Sequence, residues 1–256
     1  KQLVAESRSG GESWSDWVEV PTPGLSGCAT TGPVIGWPDG TIAHAFESFK
    51  EYDDPAPPKH AAWVVTSADG GQTYSEPLLV AQDPSHQIYY WDQRLCRTSD
   101  DGGFAAMFWT HDRARQKDLH VHFAQGRVDG RRIEMGSIRE TSVPGQIAAL
   151  CLLDDGRLAA FVVDRNRPAT MKLWTSSDEG ATWPAEEALV VYEHVERGAI
   201  TQGTDDVDFA QYWEDMGKWT FGHPAACRLG DDRILLAWYA GTPDGTSIHA
   251  ARVSFA

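Results

Sequence analysis

Short stretches in which apolar positions dominate recur along the whole chain, and Gly, Asp or Pro separates each stretch from the next. Residues 62–67, 105–109 and 158–163 are examples of such runs. Dense punctuation of short apolar runs is typical of many short β-strands rather than of long helices. No run reaches the roughly 18 apolar residues that a membrane-spanning helix requires, so the pattern predicts no membrane span.

One octapeptide joins several of these stretches. Residues 67–74 and 176–183 share the pattern Ser-x-Asp-x-Gly-x-Thr-Trp/Tyr, and residues 7–14 follow it with Ser9 in place of the Asp. The Asp and hydroxyl side chains can accept hydrogen bonds from backbone N–H groups within a loop, and Gly can adopt a positive φ. Three copies in matching context predict three equivalent hairpin turns.

A second kind of turn, rich in Asp and Gly, alternates with the first at residues 38–40, 100–102, 154–156 and 230–232. Each unit therefore consists of strand A, an Asp-Gly turn, strand B, a longer loop, strand C, the octapeptide turn and strand D. The predicted units are 33–81, about 93–140 with a degraded octapeptide at 125–130, about 147–192, and 224–254 with strands A to C. Residues 1–20 predict a C–D hairpin, and residues 194–220 an inserted loop over one face.

Four-stranded units of about 50 to 60 residues are typical of propeller blades. We therefore predict an all-β fold, a β-propeller of four-stranded antiparallel blades, with residues 1–256 forming a single domain. The alternative, a β-sandwich, does not repeat at this period. Four to five blades are expected in this chain, with an incomplete N-terminal blade. Either the N-terminal strands complete the last blade and close a small ring, or a blade's worth of N-terminal sequence is missing. The unmatched C–D hairpin favours the second alternative, a six-bladed parent architecture.

The charge composition of the chain limits the classes of molecule that it is expected to bind. The chain has 37 acidic and 22 basic residues, a formal net charge of −15, which argues against nucleic-acid binding. An acidic surface still allows a local basic pocket for an anionic ligand. The first residue is Lys1 with no leader pattern after it, so we expect a processed form or a piece of a longer protein.

The four cysteines are Cys28, Cys96, Cys151 and Cys227. An even number is compatible with disulfides. The last three, however, occupy nearly the same position in successive units, which is more typical of a small buried side chain. We expect free structural thiols.

The octapeptides resemble the Asp boxes of the sialidase superfamily, the BNR-repeat proteins. Residues 145–147 (Gly-Gln-Ile), 153–158 (Leu-Asp-Asp-Gly-Arg-Leu) and 221–224 (Phe-Gly-His-Pro) also look like segments of bacterial sialidase-like proteins. The resemblance implies a sialidase-type propeller. Members of that family hold the substrate carboxylate with three arginines and use a Tyr–Glu nucleophile pair and an Asp acid/base. The family's Arg-Ile-Pro motif is absent here, and Asp boxes also occur in proteins that are not enzymes.

Strand order locates a site independently of the family. In an antiparallel meander, the starts of the A strands and the ends of the B strands lie on one face, and strand A is innermost. The A-strand starts carry Thr31, Asp92, Arg94, Gln146 and His223, and the B-strand ends carry Glu47, residues 111–113, residues 164–165 with Arg167, and Tyr239. We predict that these side chains gather in one polar mouth.

The predicted roles follow from side-chain chemistry and from the resemblance. Arg94, Arg113 and Arg165 would bind the carboxylate of an acidic sugar through their planar guanidinium forks. The alternative is that these arginines only pair with the neighbouring carboxylates. Tyr239 is the candidate nucleophile with Glu47 as its base, and Asp92 and Asp112 are candidate general acids. Gln146 and His223 would hydrogen-bond sugar hydroxyls, and Trp91 and Trp109 either stack on a sugar ring or pack in the core.

No cofactor or metal is predicted. His111, His120 and His122 lie near one another in sequence, and the last two face the same side of a strand. Their spacing completes no known metal site, so core or solvated histidines are the preferred interpretation.

The predicted function is sialidase-like glycoside hydrolysis of a terminal acidic sugar or glycan. The alternatives are a non-catalytic carbohydrate- or protein-binding propeller, and a lyase or hydrolase of another acidic glycan.

Overall fold

The computed structural model describes residues 1–51, 53–166, 168–195 and 219–255, and these residues form an all-β fold. A 3-10 turn at Ala185–Glu187 accompanies the strands. The strands, in chain order, are β1 Gln2–Val4, β2 Val18–Val20, β3 Val34–Gly36, β4 Ile42–Ser48, β5 Ala61–Ser67, β6 Leu78–Ala81, β7 Ile88–Arg97, β8 Gly103–Asp112, β9 Lys117–Asp118, β10 His122–Asp129, β11 Arg132–Met135, β12 Arg139–Glu140, β13 Ala148–Leu152, β14 Leu158–Asp164, β15 Thr170–Ser176, β16 Leu189–Glu193, β17 Phe221–Gly230, β18 Arg233–Thr242 and β19 Gly245–Ser254.

The strands assemble into successive antiparallel sheets that follow chain order. Blade 1 has the order β3-β4-β5-β6, blade 2 the order β7-β8-β10-β11 with β9 and β12 attached, blade 3 the order β13-β14-β15-β16, and blade 4 the order β17-β18-β19. Strands β1 and β2 form a separate hairpin. The four-blade propeller arrangement and the N-terminal hairpin confirm the predicted fold class. The six-bladed parent and the single-domain boundary of 1–256 stay predictions.

The core lies between consecutive blades, and β8 shows why. Its sequence alternates side chains between two faces, and both faces are apolar. Phe104, Ala106 and Phe108 pack toward blade 1. Ala105 and Met107 pack toward blade 3. A central strand that is buried on both sides in this way ties neighbouring blades together and holds the loops at the blade ends in place.

The three octapeptides adopt the same hydrogen-bonded turn. In the third, Asp178 accepts hydrogen bonds from Thr182 N at 2.8 Å and Thr182 Oγ1 at 2.6 Å. These bonds lower the pKa of Asp178 to about 2. In the first copy, Ser9 Oγ takes the place of the carboxylate and accepts the Ser13 N–H at 2.8 Å. A hydroxyl therefore suffices to form the turn.

The degraded octapeptide predicted at 125–130 is wrong. Residues 122–129 continue as strand β10, paired with β8, and the reversal comes at Gly130 with φ +58°. Phe123, Ala124 and Val128 point into the core, which keeps the segment extended.

All four cysteines are free, but the burial expected of the last three is found only for Cys151, since Cys96 is half-buried and Cys227 is exposed. Burial raises the pKa of Cys96 to about 12 and that of Cys151 to about 11, so both are protonated thiols at neutral pH. In the described part of the chain no helix combines the length and hydropathy needed to cross a bilayer.

Candidate functional site

Two inner strands carry a β-bulge, in the middle of β7 and near the first residues of β17. In β7 the pairing with β8 shifts between Trp91 and Arg94, and Asp92 adopts φ +47°. In β17 the shift falls between Gly222 and Ala225, and His223 adopts φ +52°. Left-handed backbone is strained for residues other than Gly and is concentrated at functional sites, where a bulge re-aims a side chain. The two bulges lie close together, since Arg94 Nη2 is 3.4 Å from His223 Nε2.

Glu47 lies at the end of β4 and is buried. Its Oε1 accepts hydrogen bonds from Thr31 Oγ1 at 2.6 Å and from the backbone N–H of Gln93 at 3.1 Å. Its Oε2 lies 3.3 Å from His60 Nε2. Both oxygens are thus held, and the carboxylate has one defined orientation.

Asp92 adjoins Glu47 and two arginines. Its carboxylate lies 3.5 Å from Arg94 Nη2, and its side chain is 16% exposed. Burial raises the pKa of Asp92 to about 7, and the negative charge of Glu47 acts in the same direction. The positive charges of Arg94 and Arg165 oppose this shift without cancelling it. Asp92 therefore holds a proton in mildly acidic solution, where an ordinary Asp would not.

Arg94 connects blade 2 to blade 4. Its Nη2 lies 3.4 Å from His223 Nε2, and because a guanidinium can only donate, the histidine nitrogen is the acceptor. Burial lowers the pKa of His223, and the charges of Arg94 and Arg165 lower it further. His223 is therefore neutral at neutral pH, with its proton on Nδ1.

Arg165 follows β14 and is buried, with 3% exposure. Its Nη2 donates to Phe221 O at 3.2 Å, and its guanidinium carbon lies 3.8 Å from the centroid of the Trp219 ring. The Tyr239 hydroxyl interacts with the same guanidinium. A Cβ on Gly222 would overlap Arg165 Nη2, so the absence of a side chain there permits this approach.

Several N–H groups of these arginines have no hydrogen-bond acceptor within the described ranges. They are Arg94 Nε, Arg165 Nε and Arg165 Nη1, and all three atoms are buried. A buried donor without an acceptor costs free energy, about 1–3 kcal/mol and more when it is charged. The arrangement is therefore suited to an incoming anion.

Comparison with known proteins gives structural neighbours alone. No family model and no curated protein matches this sequence. A protein of unknown function from Dyadobacter fermentans superposes with a TM-score of 0.70 at 19% identity, covering 98% of this chain and 63% of that one. The Hadza microbial sialidase Hz136 gives 0.58 at 18% identity, covering 97% and 49%. The xylan β-1,4-xylosidase of Bacillus halodurans C-125 gives 0.56 at 14% identity, covering 95% and 46%.

The chain has a sialidase-like propeller fold. Identities this low show the fold and leave the activity open. The chain spans between about half and about two thirds of the length of these three neighbours.

The mouth of this sialidase-like propeller contains most of the residues that strand order had selected. Direct contacts or mutual electrostatic effects link eight of them, from all four blades. They are Thr31, Glu47, Asp92, Arg94, Gln146, Arg165, His223 and Tyr239. Gln146 joins through its Oε1, which accepts the Arg165 backbone N–H at 3.0 Å.

Asp112 and Arg113 take other positions. The Asp112 carboxylate accepts the backbone N–H groups of Ala114 and Arg115, both at 3.0 Å, and so caps the turn after β8. Arg113 is exposed and its charge acts on Tyr89. In the described structure neither side chain hydrogen-bonds or pairs with Asp92 or Arg165, so their predicted roles have no geometric support. Arg167 lies outside the described residues.

The arginines are not simply paired with the preceding Asp residues. Arg94 does contact Asp92, but Asp112 contacts Arg115 at 3.4 Å and Asp164 caps Asn166 at 3.0 Å. The predicted base–nucleophile pair is also separated, since no hydrogen bond joins Glu47 to Tyr239, both of which are described.

His60 and Asp118 were not among the predicted residues. Asp118 contacts His111 Nδ1 at 2.9 Å and lies 3.5 Å from Gln146 Nε2. Both residues lie between strands B and C of their blades, His60 just before β5 and Asp118 in the short strand β9, on the same face as the B-strand ends. Including the starts of the C strands in the topological argument would have found His60.

The remaining candidates pack with one another. Trp91 stacks on His111 with ring centroids 5.0 Å apart, and Trp109 is buried against it. His120 contacts Thr141 O, and His122 contacts His120 O. Among the described residues no group of three or more His, Cys, Asp or Glu side chains is placed to hold a metal ion. Residues 196–218, most of the predicted inserted loop, lie outside the described residues.

Proposed function

We propose that this protein is a carbohydrate-active propeller that hydrolyses the glycosidic bond of a terminal acidic sugar, in the manner of a sialidase. The observation that carries the proposal is the pair of arginines beside Asp92, Arg94 and Arg165. Three of their buried nitrogen atoms have no hydrogen-bond acceptor within the described ranges, and burial raises the pKa of Asp92 to about 7. The structural neighbours include a sialidase and a xylosidase, which supports carbohydrate chemistry on this fold.

The ligand chemistry follows from charge. A carboxylate can accept two parallel hydrogen bonds from one guanidinium, and it would pair the donors that are now buried without acceptors. Asp92 adjoins both arginines, and in its protonated form it does not repel an anionic sugar. An acidic sugar is thus better suited to this mouth than a neutral one.

The reaction chemistry follows from protonation. Asp92 with a pKa near 7 can donate its proton to the glycosidic oxygen as the bond to the anomeric carbon breaks. Tyr239, which interacts with Arg165, is the candidate nucleophile. Glu47 is its candidate base, and because the two side chains share no hydrogen bond, that role requires a water molecule or a substrate hydroxyl between them.

One observation favours a second function. The separation of Tyr239 from Glu47 is what a non-catalytic sugar-binding propeller would show. Such a protein would use Arg94, Arg165 and His223 to hold an acidic sugar without cleaving it.

The Arg94→Ala variant tests whether Arg94 contacts the substrate or only pairs with neighbouring carboxylates. We expect kcat/KM for a fluorogenic sialoside to fall by about 100-fold, because a charge-assisted contact to the substrate is lost. Arg115→Ala is the matched control, since Arg115 is 75% exposed and contacts Asp112. Its kcat/KM should stay within about twofold of the parent value.

The same variants in calorimetric titrations with free N-acetylneuraminic acid test the binding alternative. Binding that Arg94→Ala weakens, with no turnover by the full-length protein, would favour the binding propeller. Turnover that is equal in Arg94→Ala and Arg115→Ala would contradict the proposed site.

A further inference from the structure

His60 lies between the strand that carries Asp92 and the Glu47 carboxylate. It is 2% exposed and immediately precedes β5. Its Nδ1 lies 3.3 Å from the backbone nitrogen of Tyr90, two residues before Asp92 in β7. Its Nε2 lies 3.3 Å from Glu47 Oε2. One imidazole ring therefore bridges blade 1 and blade 2 at the mouth.

The two contacts determine which ring nitrogen carries the proton. The Tyr90 backbone N–H can only donate, so His60 Nδ1 must be the acceptor. In the neutral ring the proton is then on Nε2, which donates to the Glu47 carboxylate. The backbone of β7 thus sets the direction of the hydrogen bond that His60 makes to Glu47.

His60 is the donor to one particular oxygen. Thr31 and the Gln93 N–H both donate to Oε1 of Glu47. Among the described residues, the hydrogen bond to Oε2 comes from His60. Without it, the carboxylate could rotate about its remaining contacts or take up a proton.

We propose that His60 is a positioning residue that holds the Glu47 carboxylate against the bulged part of β7, next to Asp92. The inference rests on the proposed function for its consequence in turnover, but its geometry is independent of the substrate. The charged or titratable groups that face Asp92 are Glu47 from β4, Arg94 from β7 and Arg165 after β14, with His223 of β17 behind Arg94.

Two substitutions separate the contacts of His60. In His60→Asn the short amide can still accept the Tyr90 N–H but cannot reach Glu47. In His60→Gln the longer amide can donate to Glu47. The matched control is His44→Gln, because His44 is also buried and in β4, and neither of its ring nitrogens has a hydrogen-bond partner in the described structure.

The primary measurement is the titration midpoint of Asp92, followed by the carboxyl carbon-13 resonance and assigned by its loss in Asp92→Asn. We expect His60→Asn to lower the midpoint by about one pH unit, because a displaced Glu47 carboxylate opposes the ionisation of Asp92 less. His60→Gln and His44→Gln should keep the parent midpoint. An unchanged midpoint in His60→Asn, or an equal fall in His44→Gln, overturns the proposal.

Kinetics with the fluorogenic sialoside then test the consequence. We expect His60→Asn to lower kcat by about tenfold with KM nearly unchanged, because the arginines that bind the carboxylate are intact. If the parent protein shows no turnover but the Asp92 midpoint moves as expected, the proposed hydrolase function fails and the positioning role stands. If the parent protein turns over the sialoside and the Asp92 midpoint in His60→Asn does not move, the hydrolase function stands and the positioning role of His60 fails.

Discussion

Asp92→Asn should lower kcat for a fluorogenic sialoside by about 1,000-fold, which is within the range that loss of a general acid produces. Asn matches Asp in shape and tolerates the positive φ of 47° at this bulge, so the backbone should stay in place. The amide cannot donate a proton to the glycosidic oxygen. The loss should therefore appear in kcat rather than in the Kd for free N-acetylneuraminic acid.

The pH dependence has a definite sign. Asp92 has a pKa of about 7 in the folded protein, above the ordinary value of 3.8, mainly because it is buried. The general acid is present below that pKa and is lost as the pH rises through it, so turnover should fall across neutral pH. The folded state also binds this proton more tightly than the unfolded state. Its contribution to stability is therefore complete below about pH 4 and declines as the pH rises to about 7.

The predicted decline in stability with rising pH can be checked with matched variants. In Asp92→Asn the decline in stability between about pH 4 and pH 7, measured by urea denaturation, should become shallower. Asp155→Asn is the control, because Asp155 lies in the turn between β13 and β14, at the opposite end of these strands from Gln146 and Arg165, and contacts Arg157. If Asp112→Asn rather than Asp92→Asn carried the loss of kcat, the general acid would be the residue that now caps the turn after β8.

The order of the strands was sufficient to predict that these residues converge at the mouth. The local backbone geometry of the bulges could not be predicted from the sequence. Glu47 and Arg165 lie at strand ends that any four-stranded meander brings to one face. Asp92 and His223 face the mouth through β-bulges, and nothing in the residues around them distinguishes a bulged strand from a regular one. Asp112 shows what strand order cannot decide. A carboxylate at the end of a strand can accept hydrogen bonds from the following turn as readily as it can face a binding site.

The octapeptide turns show the same division between local and tertiary structure. Their hydrogen bonds follow from residue types alone, which is why Ser9 could be recognised as a substitute for Asp. What each turn packs against depends on the neighbouring blade. The fifth-position glycine is Gly11 in the first copy, with no atom near its potential Cβ, Gly71 in the second, near the Tyr74 hydroxyl, and Gly180 in the third, against the Phe123 ring.

Gly180→Ala should cause the largest loss of stability among these glycines. Gly180 has φ +81°, and a Cβ there would lie 2.7 Å from Cε1 of Phe123 and closer still to Cζ. Phe123 is fully buried between blades 2 and 3 and cannot move away without disturbing that core. We expect the free energy of unfolding to fall by about 3–4 kcal/mol, from overpacking together with backbone strain.

The control isolates the packing contribution. Gly156 has a similar φ of +87°, in the Asp-Gly turn of the same blade, and no atom lies within 4 Å of its potential Cβ. Gly156→Ala should therefore cost about 1 kcal/mol, the strain of the backbone alone. Urea denaturation of both variants gives the difference directly, and equal losses would show that the Phe123 contact contributes nothing.

A double variant tests the contact itself. Phe123→Leu removes the ring atoms that a Cβ on Gly180 would meet, while keeping an apolar side chain in the core. Gly180→Ala should then cost less in the Phe123→Leu background than in the parent, with a coupling energy of at least about 1 kcal/mol. Because Phe123 belongs to blade 2 and Gly180 to the turn of blade 3, such coupling would measure how tightly one blade's turn docks on the next. If the two losses in the free energy of unfolding are additive, the Gly180 turn does not pack tightly against Phe123. The contact between blades 2 and 3 at this point would then not help to hold the mouth residues in place.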